Sequence, residues 1–144
     1  MADYRILTYT GPDGAPLPGI AVGDRVVDLA AACKGRGVGF STVSNVAMLQ
    51  NWDAAEPVLE EIADAASRDK IASVALAGVK LRAPLLYPNI IYNAAANYHG
   101  HRVEMGVGGI TPEQKAAMKP YIFLKAPVHC TIGPGDDIVR RQRL

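Results

Sequence analysis

The sequence predicts an α+β protein in two parts: a small N-terminal α/β domain over residues 1–83 and a strand-rich segment over 84–144. Three observations carry this expectation. Strand-forming runs near the start flank Gly23-Asp24, a hairpin-turn dipeptide. One amphipathic helix follows, from about Ala54 to Ser67. After Lys70 the texture changes to short apolar runs broken by Pro84 and Pro88, which force an extended crossing and place the boundary near Pro84.

Taken in order, Tyr4 to Tyr9 is rich in strand formers, and Gly19–Val22 and Arg25–Leu29 are the arms of the hairpin. Between them, the glycines and prolines of residues 11–19 read as a loop. Asp28 is placed to cap a short helix through Ala32, with Gly35 near its end. Thr42 to Leu49 is a weaker helical segment. The helix over 54–67 starts at a D-x-x-E capping box, Asp53 and Glu56, and puts Val58, Leu59, Ile62 and Ala66 on one face. Pro57 is tolerated there as a first-turn residue. Ile71–Leu81 and Ile90–Asn93 read as strands. Thr111-Pro112-Glu113-Gln114 is a T-x-x-Q box with proline at the first helical position, and the helix it opens ends before Pro120. Tyr121–Leu124 reads as a strand, and Gly133-Pro134-Gly135-Asp136 as a tight turn.

Composition narrows the function classes. The chain has 144 residues, 49% hydrophobic and 20% charged, in the range of a globular protein. A formal charge of +1 supplies no strong field for nucleic acid or anionic lipid, so neither is an expected partner. The most apolar stretch, Ile71 to Val79, falls well short of the roughly 20 residues of a membrane span. No basic start leads into an apolar leader, and Cys33 and Cys130 are too few for a disulfide scaffold. A cytoplasmic protein with reduced thiols is the expectation.

The segment with chemistry is Asn97-Tyr98-His99-Gly100-His101-Arg102-Val103-Glu104, an N-Y-x-x-H-x-x-E pattern. In a helix, three steps of about 100° leave His101 and Glu104 about 60° apart, within reach of a shared hydrogen bond. A carboxylate that fixes the imidazole tautomer and supports the imidazolium makes a general base able to take a proton from water. The segment follows a strand end and precedes Gly106-Val107-Gly108-Gly109, the texture of a mobile flap. The competing account is a solvated surface pair, since i,i+3 His-Glu pairs arise by chance in many helices. Two helical steps send His99 to the opposite face. A metal clip from His99, His101 and Glu104 would need an extended strand instead.

Lys125 ends an apolar strand before Pro127; it is either a solvated strand-end lysine or a fixed cation for a substrate carboxylate. Gly133-Pro134-Gly135 lacks the G-K-[ST] end of a phosphate loop. His129 and Cys130 are sequence neighbours that point to opposite faces of a strand, which argues against a nucleophile pair.

The order of these motifs resembles the N-terminal part of the fumarylacetoacetate hydrolase family, in its branch with a small leading domain. The likeness runs from Tyr4-Arg5-Ile6-Leu7-Thr8-Tyr9 through Gly23-Asp24-Arg25-Val26-Val27-Asp28-Leu29 and Leu81-Arg82-Ala83-Pro84. It continues through Asn97-Tyr98, His101 and Glu104 to Phe123-Leu124-Lys125-Ala126-Pro127 and Ile132-Gly133-Pro134-Gly135-Asp136-Asp137-Ile138. The resemblance implies that residues 84–144 begin a mixed β-sandwich roll. It also implies hydrolysis, decarboxylation or isomerisation of small 2-oxo or 1,3-diketo acids, as in aromatic-compound catabolism. His101 would activate water, Glu104 would support it, and Tyr98 and Lys125 would line the substrate site. Family members use Mg²⁺ or a similar divalent cation, which stabilises the enolate formed as the bond breaks. They are commonly dimers, which makes a homodimer a candidate assembly.

The chain departs from this pattern in two respects. The family's metal ligands, an E-x-E pair and a later acidic residue, lie beyond the G-P-G-D-x-I turn, and this sequence contains no E-x-E. After Val139 the likeness stops, and Arg140-Arg141-Gln142-Arg143-Leu144 reads as a disordered basic tail over 140–144. The expectation is an N-terminal portion cut or frame-shifted near Arg140 and inactive by itself. The alternative is a non-catalytic remnant, inert or associated with a complete paralogue.

Overall fold

Alternating apolar residues at the start of the chain build an antiparallel meander of β1 (Arg5–Thr10), β2 (Pro16–Val22) and β3 (Arg25–Asp28). The computed structural model describes residues 2–127 and 130–139. Ile6 pairs with Ile20 and Ile20 with Val27, so these three share one face of the sheet. Leu7, Tyr9, Ala21 and Val26 occupy the other face as a second buried cluster.

The first face is covered by three helices. In α1 (Leu29–Cys33) Asp28 is the N-cap and accepts the Ala31 amide at 2.6 Å, as its position in the sequence predicts. Asp28 also accepts the Tyr9 hydroxyl at 2.8 Å. Burial and this hydrogen bond push the Tyr9 phenol well above its ordinary pKa. In α2 (Asn45–Leu49) Ser44 caps the Ala47 amide. The long α3 (Trp52–Ser67) buries Ala55, Leu59, Ile62, Ala63 and Ala66 against Ile20, Val27, Leu29 and Met48.

Four expectations change here. Residues 16–18, read as loop, are strand: Pro16 and Pro18 lie opposite Thr10 and Thr8, in the part of β2 that β3 does not reach, where a missing N–H breaks no second ladder. The D-x-x-E box does not open α3; the helix starts at Trp52 after Asn51, which makes no side-chain cap. Pro57 is therefore the sixth residue of the helix, beyond the first turn, and it is tolerated on the exposed face where solvent reaches the Asp53 carbonyl it leaves unpaired. The run Ile71–Leu81 is not one strand. It divides into β4 (Val74–Ala75), a 3₁₀ turn at Leu76–Gly78 and β5 (Leu81–Arg82).

The division of that run shapes the sheet, whose order is β4-β3-β2-β1-β5. Four strand spacings of about 4.8 Å would separate β4 from β5 by about 19 Å in a flat sheet. Ala75 and Leu81 are joined through a 3₁₀ turn that rises only about 2 Å per residue, which limits the bridge to about 16 Å. The antiparallel sheet therefore curls. Leu76, Val79 and Leu81 pass across its second face and pack on the Leu7–Tyr9 cluster.

Asn45 joins three segments at this edge. Its Nδ2 donates to Leu7 O at 2.8 Å, Thr8 Oγ1 at 3.0 Å and Pro84 O at 2.9 Å, and the Thr8 hydroxyl donates to Pro84 O at 2.8 Å. The division into compact units accordingly falls at Pro88–Asn89, past the Pro84 boundary read from the sequence. Residues 131–139 return to the first unit. There Gly133 lies against the β5 backbone, where a Cβ would meet Leu81 O at 2.8 Å. Pro134-Gly135 forms the turn, with Gly135 at φ +79°, and the Asp136 carboxylate accepts the Gly133 amide at 2.9 Å and pairs with Lys80 at 3.4 Å. The Gly133 amide, and after it Lys80, hold the Asp136 carboxyl below the usual carboxylate range.

The second unit, Asn89–Cys130, is built from β6 (Ile91–Ala94), α4 (His99–Glu104), α5 (Pro112–Ala117) and β7 (Ile122–Lys125). Its two strands pair antiparallel, Ile91 opposite Lys125 and Asn93 opposite Phe123. None of its described residues is buried, and Tyr92, Tyr121, Ile122 and Leu124 are each more than half exposed. The chain is thus a mixed α+β protein with one curled antiparallel sheet and few helices. Among the described residues no helix is long and apolar enough to cross a membrane. The tail expected at 140–144 and His129 lie outside the described residues.

Replacing Asn45 by alanine removes the donor to Leu7 O and to the Thr8 hydroxyl, both buried, while Pro84 O keeps the Thr8 hydroxyl. The expected cost is about 1–3 kcal/mol, read as a lower urea midpoint of Trp52 fluorescence, the signal of the only tryptophan in the chain. A midpoint equal to that of the parent chain would refute the role given to this junction.

Candidate functional site

The conformation of the N-Y-x-x-H-x-x-E segment is set by local hydrogen bonds. After β6, the Ala95 amide donates to Tyr121 O at 3.1 Å. The Asn97 side chain then continues the ladder in place of a strand. Its Nδ2 donates to Tyr121 O at 2.8 Å and its Oδ1 accepts the Tyr121 amide at 2.9 Å. This two-point clamp fixes the backbone immediately before α4. Its donor and acceptor geometry requires an amide side chain, a role that the N-Y-x-x-H-x-x-E pattern contains but does not reveal.

Tyr98 occupies the N-cap position of α4 in extended conformation and makes no side-chain cap. The helix it precedes brings His101 and Glu104 together as the i,i+3 spacing predicts. His101 Nδ1 lies 3.5 Å from Glu104 Oε2, with side-chain exposures of 49% and 79%. That is the long limit of a hydrogen bond, and in water such a pair is worth a few tenths of a kcal/mol. In the tautomer protonated at Nδ1, the Glu104 carboxylate accepts that proton and Nε2 is left as the basic nitrogen.

His99 has a different task. Its Nδ1 accepts the Ile110 amide at 3.2 Å, and its ring rests on the backbone of Gly109. Gly106 and Gly108, at φ +72° and +76°, turn the loop back so that Ile110 reaches the ring. The glycine-rich segment is thus pinned to the start of α4. A contact across eleven residues through left-handed glycines leaves no periodic trace in the sequence. With His99 turned away from His101 and engaged in this contact, the two do not form a clip. Among the described residues no three His, Cys, Asp or Glu side chains are grouped to hold a metal ion.

The remaining candidates are spread over the unit. Tyr98, 66% exposed, lines a cavity of about 340 Å³ together with Asn97, Ile110, Lys115, Met118 and Lys119. Lys125 is exposed at the end of β7, opposite Ile91. No hydrogen bond or ion pair joins Lys125 or the Tyr98 hydroxyl to the His101–Glu104 pair among the described residues.

Two measurements test these contacts. Asn97→Ala is expected to abolish the hydrogen-exchange protection of the Tyr121 amide, whereas Asn97→Asp, which keeps the acceptor, retains it. A Cβ at position 109 would occupy the space of the His99 ring, so Gly109→Ala is expected to raise Ile110 amide exchange to the rate seen in His99→Ala. Parent-like exchange in Gly109→Ala would show that the ring does not pin the loop. No protein-family model and no curated protein matches this chain.

Proposed function

We propose that the chain carries the water-activating lid of a fumarylacetoacetate-hydrolase-type enzyme that cleaves C–C bonds in small 2-oxo or diketo acids. The observation that supports this reading most directly is the His101–Glu104 contact on an exposed helical turn between a strand end and a glycine loop. His101 Nε2 takes one proton from water as the hydroxide oxygen bonds to a substrate carbonyl carbon, and the proton then passes to the carbon released when the C–C bond breaks. Glu104 holds the ring in the required tautomer and stabilises the imidazolium between the two transfers. Tyr98 and Lys125 are proposed to border the acid. In this reading β6 and β7 are the first strands of the family's mixed β-sandwich roll, and their exposed apolar faces call for further strands.

A second reading has its own support. With β7 exposed at every residue, the chain in this second reading is a non-catalytic remnant that associates with a complete paralogue. Acetopyruvate with Mg²⁺ separates the two. Hydrolysis that falls about 10²–10⁴-fold in His101→Ala, the usual contribution of a general base, supports the catalytic reading. No hydrolysis, together with co-elution with an intact enzyme of the family, supports the remnant.

A further inference from the structure

The second unit carries more positive charge than it neutralises. Arg102, Lys115, Lys119 and Lys125 stand against only Glu104 and Glu113, while the whole chain has a formal charge of +1. Both acids are engaged. Glu104 lies beside His101, and Glu113 sits in the first turn of α5, its carboxyl held below the usual range by a backbone amide and by the Thr111 hydroxyl. The ammonium groups of Lys115 and Lys119 have no ion pair or hydrogen bond among the described residues. Both line the cavity of about 340 Å³ beside Tyr98, and no acidic side chain shares it. The rest of its wall includes apolar side chains, Ile110, Met118 and Ile122, with the Asn97 amide already committed to Tyr121.

Two unpaired cations four residues apart, over an apolar wall, fit an organic anion better than a neutral or cationic molecule. We propose that this cavity binds a small organic acid, with its carboxylate between Lys115 and Lys119 and its apolar body against Ile110, Met118 and Ile122. Tyr98 lines the cavity and is the N-cap residue of α4, the helix that carries His101 and Glu104. The inference deepens the catalytic reading above, because it gives the 2-oxo acid a carboxylate anchor that sequence analysis did not assign. Binding itself does not depend on the dyad.

The test titrates 2-oxopentanoate and its uncharged analogue 2-pentanone into the intact chain and follows backbone amides by NMR. The acid is expected to shift the Tyr98, Ile110 and Met118 amides saturably, and the ketone to shift them by less than about a tenth as much. In K115Q/K119Q, which changes two exposed side chains, the apparent Kd is expected to rise about tenfold; in H101A it stays within about twofold. Absence of saturable shifts at these amides, equal response to the ketone, or an unchanged Kd in K115Q/K119Q would each overturn the proposal. Acid binding without acetopyruvate hydrolysis supports this site while counting against the catalytic reading.

Discussion

The fold of the first unit depends on the short bridge between β4 and β5. A flat five-stranded sheet would place its two edges farther apart than Leu76–Lys80 can span. The curl that resolves this conflict lets the sheet be buried on both faces. Helices α1, α2 and α3 cover one face, and Leu76 and Val79 of the bridge, with Leu81 of β5, cover the other. The residues on the bridge thus form the second core layer that their own pairing would have left uncovered. Asn45 then ties α2 to β1 and to the Pro84 carbonyl, which anchors the chain as it leaves the sheet.

The second unit rests on a different balance of forces. With none of its described residues buried, its order comes from directional local contacts: the Asn97 clamp, the His99–Ile110 hydrogen bond, the Thr111–Gln114 capping box and four pairs of strand residues. Each such contact is worth about 1 kcal/mol net in water. Their sum sets a conformation without the resistance to distortion that a packed core provides. The 3.5 Å separation of His101 and Glu104 fits this setting, since a side-chain pair is held tighter when neighbouring packing locks its rotamers. The distribution of charge follows the same division. Ion pairs involving Arg25, Arg36, Arg68 and Lys80 belong to the first unit, and the lysines of α5 and its flank, around a cavity, have no ion pair among the described residues.

Sequence by itself determined the features that depend on near neighbours. The β2–β3 hairpin follows from the residues flanking Gly23-Asp24, the start of α1 from Asp28, and the start of α5 from Thr111, Pro112 and Gln114. The i,i+3 meeting of His101 and Glu104 follows from helical pitch alone. Only tertiary structure decided the rest. An apolar run such as Ile71–Leu81 reads as a single strand until the positions of its two partner strands break it in the middle. Pro16 and Pro18 read as loop until the reach of β3 leaves one side of β2 open. Asn97 and His99 find partners 24 and 11 residues away, so neither has a periodicity to betray it. The physical reason is common to all four cases. Propensity and spacing describe what a segment prefers alone, whereas strand pairing and side-chain clamps depend on which distant backbone arrives to meet it.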